Sequence, residues 1–149
     1  MSIEENKELV RRWVHAWNTD TNFDVVEDIF AQDWIDRNPI PGGPQGMEGA
    51  KYFVTAFRRS FSDIHLDIDL LLSEGDHVMF RWIAGAVHTG PFLGIDPTGK
   101  HVTFSGITVH RVANNRFAES TAEIDFLGLI EQLKAPTPTA DTNPTQPAT

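Results

Sequence analysis

The sequence predicts an α+β fold: an antiparallel sheet with its helices gathered on one face. Three observations lead there. Apolar residues recur at helical spacing through roughly the first sixty positions, the period changes to two from Ile64 onward, and turn-forming clusters cut the second half into separate apolar runs. Helices first and a meander of strands afterwards mark segregated layers rather than alternating βαβ units.

Each element has its own warrant. Ser2 with Glu5 makes a capping box, and Val10, Trp13, Val14 and Trp17 follow at i, i+3, i+4 and i+7. That is an amphipathic helix ending near Asn18 to Thr21. A shorter helix carries Val26, Ile29 and Phe30. "DWIDRNP" then reads as a brief strand, stopped by "PIPGGPQG", which holds too much Pro and Gly for regular structure. Ala50, Phe53, Val54, Phe57 and Phe61 place a third helix over about 47–61. Ile64, Leu66, Ile68 and Leu70 alternate with His65, Asp67 and Asp69, a half-buried antiparallel strand. "SEGD" turns the chain into the strand "HVMFRWIAGAVH", whose Gly85 implies a bulge or bend. "TGPFLGIDPTGK" is a loop, "HVTFSGITVHRV" a strand and "ANN" a turn. "RFAESTAEIDFLGLIEQL" is a strand running into a short helix. Along it Phe117, Glu119, Thr121 and Glu123 point one way, and Ala118, Ser120, Ala122 and Ile124 the other. A face of such small side chains reads as the floor of a cavity.

Composition bounds the function. The chain has 149 residues, 40% of them apolar, with ten Phe, four Trp and a formal charge of −9. That is enough for one domain with a real core, assigned to residues 1–134. The remaining stretch from Ala135, "APTPTADTNPTQPAT", holds four of the nine Pro and no large apolar side chain, and is expected to be a disordered tail. No Lys/Arg cluster is present, which argues against nucleic acid and anionic membranes as partners. The absence of Cys removes disulfides, Cys-ligated zinc and thiol nucleophiles together. The N-terminus lacks the apolar stretch of a signal peptide, and no run approaches the roughly 18 apolar residues of a membrane span. A cytoplasmic location is the expectation.

Three stretches together carry a resemblance: "NFDVVEDIFAQDWIDRNPIPGGPQGMEGAKYFVTAFRRSFSDI", "HTGPFLGIDPTGKHV" and "IDFLGLIEQL". The chain resembles the SnoaL-like polyketide and ester cyclase family, within the group sharing the cone-shaped fold of nuclear transport factor 2. The likeness spans roughly residues 4–134. It implies a curved sheet wrapped around N-terminal helices, an apolar pocket, a homodimer, no cofactor, and acid–base chemistry on a hydrophobic, carbonyl-rich molecule. Aldol-type ring closure or isomerisation are the reactions implied. Cyclases of the family use an Asp on the last strand and a His on the strand before it. Aligned from "EQL" backwards, this chain has Ala122 and Thr108 at those places, and neither abstracts a proton. Where related isomerases place an Asp before Pro, it has Asn38.

Asp36 is the best remaining carboxylate, beside Trp34 where the short strand meets the expected pocket mouth. It reads as a general base if buried, or as a partner of Arg37 or Arg81 or a cap of the next turn. His88, before the signature loop, reads as a second catalytic group or as an anchor for that loop. His110 shares the parity of Thr108 but lies near the strand end, where exposure is expected. Glu119 and Glu123 are expected to point away from the cavity. The His residues show no metal-like spacing, so no metal is expected. Trp17, Trp34, Phe53, Phe57, Trp82 and Phe104, with Asn38, Thr108 and Ala122, are the expected lining. A non-catalytic pocket for a small apolar ligand is the alternative.

Overall fold

The computed structural model describes residues 2–136; most of the Pro/Thr-rich tail, from 137 on, lies outside the described residues. The elements run α1 (Ile3–Thr19), α2 (Asn22–Ile29), β1 (Phe30–Asp36), α3 (Gly46–Ser60), β2 (Phe61–Glu74), β3 (His77–His88), β4 (His101–Ala113), β5 (Arg116–Ile124) and α4 (Phe126–Lys134). Among the described residues no helix is long and apolar enough to cross a membrane.

The α1 capping box forms: Ser2 Oγ accepts from Glu5 N–H at 3.0 Å, and Glu5 Oε1 accepts from Ser2 N–H at 2.8 Å. Asp20, in the left-handed region at φ 57°, ends the helix. α2 stops one residue before its apolar spacing implies. Phe30 turns extended instead and opens β1, its ring edge-on to both Trp13 and Trp34.

The five strands form a curved, unclosed sheet in the order β1-β5-β4-β3-β2. All pairs are antiparallel except β1–β5, which is parallel because α3 and the whole meander intervene before β5 returns beside β1. Three irregularities correct the simple alternation. On β2 the register shifts between Ile68 and Leu70, so Leu71 joins the core while Leu70 is 37% exposed. Gly85 is regularly paired with both His65 and Thr103. The expected distortion sits across from it, on β2 between Ser62 and His65, where Asp63 has φ 51°. On β5, Phe117 and Glu119 face the adjacent residues Val112 and Arg111, leaving Ala118 as an extra residue. That bulge brings Phe117, fully buried, to the inner side with Ser120, and removes Ala118 from the cavity floor.

Helices and inner sheet face share one apolar core, with Phe61, Phe117, Ile29 and Leu129 among its largest fully buried side chains. Each such side chain contributes about 1.5–3 kcal/mol on burial. The loop after β3 is bound to the end of α3: the N–H groups of Thr89 and Gly90 both donate to Ser60 O at 3.0 Å. A Cβ at position 90 would run into Arg59 O, so glycine alone lets the loop lie this close.

Candidate functional site

Register decides which side chains reach the cavity. Across β3, β4 and β5, Trp82, Gly106 and Ile124 form one row, Phe80, Thr108 and Ala122 the next, and Val78, His110 and Ser120 the third. Asp36, at the end of β1, pairs with Ser120 and extends the third row. Rows two residues apart share a face, so these look toward the helices. Gly106 makes room for the Trp82 indole, which a Cβ there would meet along with Glu123 O. The indole Nε1–H donates to Thr108 Oγ1 at 3.0 Å.

The space between sheet and helices divides into two joined compartments. The outer one has about 70 Å³ open to the centre of a water molecule, and its walls include Trp17, Phe57, Phe61, Leu66, Trp82 and Phe104. No ionisable side chain stands in those walls. The inner one, about 60 Å³, is bounded by Phe30, Trp34, Asp36, Ala50, His110 and Ser120. Trp13, Phe53, Thr108 and Ala122 border both. Ionisable side chains are therefore confined to the inner compartment.

Two ionisable groups stand there. Burial pushes the Asp36 carboxyl above its ordinary value of 3.8, opposed by the Asn38 N–H that donates to Oδ1 at 3.1 Å. Among the described residues it has no cationic partner. Arg37 pairs with Glu119, and Arg81 with Asp69 at 2.6 Å. Gln45 holds the Asp36 backbone from both sides, accepting from its N–H at 2.9 Å and donating to its carbonyl at 3.1 Å. His110 is 2% exposed, and burial pushes it down to about 3, so the ring is neutral at pH 7. Its ring stacks on Phe117, 3.7 Å between centroids and 12° between planes, with Phe80 also parallel at 5.9 Å. His110 Nδ1 lies 2.5 Å from Ser120 Oγ, which also accepts from the Trp34 indole N–H at 2.8 Å. Among the described residues His110 Nε2 has no hydrogen-bond partner. Among the described residues no cluster of three His, Asp or Glu side chains could hold a metal ion.

A model of the SnoaL-like polyketide cyclase family matches residues 7–133. The chain belongs to that family. Among its relatives is the aklanonic acid methyl ester cyclase of Streptomyces peucetius, 30% identical over 141 residues that cover 90% of this chain and 94% of that one. The aklanonic acid methyl ester cyclase of Streptomyces sp. strain C5 is also 30% identical, over 90% of this chain and 84% of its own. Among solved structures, TsrD from Streptomyces laurentii superposes with a TM-score of 0.82 at 24% identity, covering 91% of this chain and 99% of that one.

In this SnoaL-like protein, Trp17, Phe53, Phe57, Trp82, Phe104, Thr108 and Ala122 border the outer compartment, and Trp34 and Asp36 the inner. Asn38 and His88 border neither. The Asn38 carboxamide is spent on the Ala122 backbone, donating to its carbonyl at 2.5 Å and accepting from its N–H at 3.1 Å. It adds one peptide-like rung to the β1–β5 pairing. His88 is fully buried at the loop, where Nδ1 accepts from Thr98 N–H at 3.1 Å. His110 runs against the exposure expected of it: Phe117, turned inward by the β5 bulge, stacks on its ring and Ser120 pairs with it across β4–β5, so its position is interior. Its parity with Thr108 was the usable signal.

Proposed function

We propose that this protein is a cofactor-free acid–base catalyst of the polyketide cyclase type, acting on a hydrophobic, carbonyl-rich small molecule, with Asp36 as the base. The observation that carries the reading is a carboxyl in the cavity wall, without a cationic partner, whose affinity for a proton is raised by burial. Such a group withdraws a proton α to a carbonyl, and the enolate so formed closes a ring by aldol addition or is reprotonated elsewhere. The aromatic outer compartment holds the apolar body of the substrate and limits its conformations, which itself favours ring closure. Two relatives bear the name of an ester cyclase, which supports the reaction class. Ala122 and Thr108 stand where the family's usual acid and His are expected, so the base comes from β1 instead of β5.

The test is deuterium uptake from D2O by a panel of β-dicarbonyl compounds and cyclic ketones, followed by mass. Wild type accelerates exchange and Asp36→Asn does not. Equal rates in the two proteins contradict the assignment. The outer compartment, with no ionisable side chain in its walls, favours one other reading, a binding protein without turnover. Binding of the panel with no exchange above buffer would select it.

The protein acts as a homodimer in this reading. Leu70, Leu72, Ile83 and Ile107 are 37–52% exposed on the outer sheet face, away from the helices, and an apolar sheet face of this kind is covered in a stable assembly.

A further inference from the structure

Trp34, Ser120 and His110 form a chain of hydrogen bonds that is one partner short. Ser120 Oγ accepts the Trp34 indole N–H, so its own proton and one His110 ring proton must be shared out over the remaining positions. If Ser120 O–H donates to Nδ1, the ring proton sits on Nε2, which has no partner. If Nδ1–H donates to Ser120, the serine proton is left without an acceptor, and Nε2 is left without a donor. The first arrangement leaves one group unpaired and the second leaves two. In the first the free donor is Nε2–H, an atom shut away from the cavity. In the second it is the hydroxyl of Ser120, which lines the inner compartment beside His110, so an acceptor in that compartment draws the pair into the second arrangement. Leaving a buried donor unpaired is costly, and a ligand that supplies an acceptor removes the cost.

We propose that the inner compartment is a binding site for one neutral carbonyl oxygen of the ligand, held by a hydrogen bond from the Ser120–His110 pair. The lining selects among the alternatives. No Lys or Arg borders either compartment, and Asp36 stands in the same row, so a carboxylate or phosphate finds no counter-charge. An ammonium brings only donors and cannot satisfy the pair. A ketone brings an acceptor without charge. With the carbonyl oxygen on the pair, its α-carbon lies in the compartment that also holds Asp36, and the donor polarises the bond whose enolate the base forms. The inference deepens the proposed function and rests on it for the carbonyl class of ligand.

The test uses acetophenone and α-methylstyrene, which share a shape but differ in the carbonyl oxygen. Binding is read by NMR titration of the wild type, with 15N signals of the His110 ring followed directly. Acetophenone is expected to move the His110 ring nitrogens, and α-methylstyrene to leave them in place. The ratio of the two affinities is expected to fall about three- to tenfold in His110→Phe, which keeps the stacking, in Ser120→Ala, or in both. Ring nitrogens unmoved at saturating acetophenone overturn the proposal, as does a ratio within twofold of wild type in both variants. Failure of acetophenone to bind at its solubility limit overturns it too. The wild-type NMR arm stands even if a variant does not fold. Loss of the Asp36 reading shows separately, as exchange retained in Asp36→Asn.

Discussion

Asp36 and His110 sit in one row of the sheet and are pushed in opposite directions by the same cause. Burial disfavours the charged form of each, raising the carboxyl and lowering the imidazole. The consequences for stability have opposite signs. Between 3.8 and its raised value, the folded state holds the Asp36 proton more tightly than the unfolded chain, so stability falls as pH rises through that window. Asp36→Asn is therefore expected to melt higher than wild type at pH 7, with the difference vanishing below pH 3.8, as calorimetry across pH would show. A lower melting temperature at pH 7 would contradict it. His110 acts at the acid side: between 6.5 and about 3 the unfolded chain binds the proton and the folded state does not. It costs on the order of 2 kcal/mol by pH 5. His110→Phe should flatten the loss of stability from pH 7 to pH 5 in urea melts, and an unchanged slope would sink the idea. Asp36 was legible as the carboxylate left once Ala122, Thr108 and Asn38 stood at the places where the resemblance implies the acid and the His, although a pair with Arg37 or Arg81 and a cap of the next turn stood open beside it. The interior place of His110 was not, since it depends on Phe117, which the β5 bulge turns inward against the ring.

At the scale of elements, the periodic parts of the sequence were readable and the irregular ones were not. The capping box, the α1 stripe and the alternation of β3 and β4 follow from local spacing alone. The bulges at Asp63 and Ala118 do not, because an extra residue in one strand is defined only by its partner. That is why Phe117 was expected outside and Ala118 inside. Two substitutions test the element-level account. Gly106→Ala sets a methyl against Trp82 and the Glu123 carbonyl, and should cost about 1–3 kcal/mol with loss of the Trp82–Thr108 bond. Urea unfolding reads the first effect, and the indole N–H proton shift the second. Asn38→Asp keeps the acceptor for Ala122 N–H but cannot donate to Ala122 O, so a loss of about 1 kcal/mol is expected. A neutral result would show that the β1–β5 end does not need its side-chain rung.

At the scale of the molecule, the helix-to-strand change of period was enough to place the α+β class, and the family resemblance implied the curved sheet wrapped around the helices. The parallel β1–β5 pair was not foreseen, because nothing local tells a strand which distant neighbour it joins. It matters most for function, since it carries Asp36 to the cavity beside Ser120. The outer sheet face makes a further prediction. Ile107→Asp places a charge on the exposed outer sheet face, and light scattering at micromolar concentration should report a dimer for wild type and a monomer for the variant. A monomeric wild type would remove the dimer from the account.

The central claim is that the cavity holds a carboxyl set to take a proton. Its most direct measurement is a pH titration of the Asp36 side-chain carboxyl by 13C NMR in the ligand-free protein, assigned against Asp36→Asn. The account predicts a midpoint above 3.8, raised by burial. A midpoint at or below that value would mean the carboxyl is solvated or held as an anion, and would contradict the account.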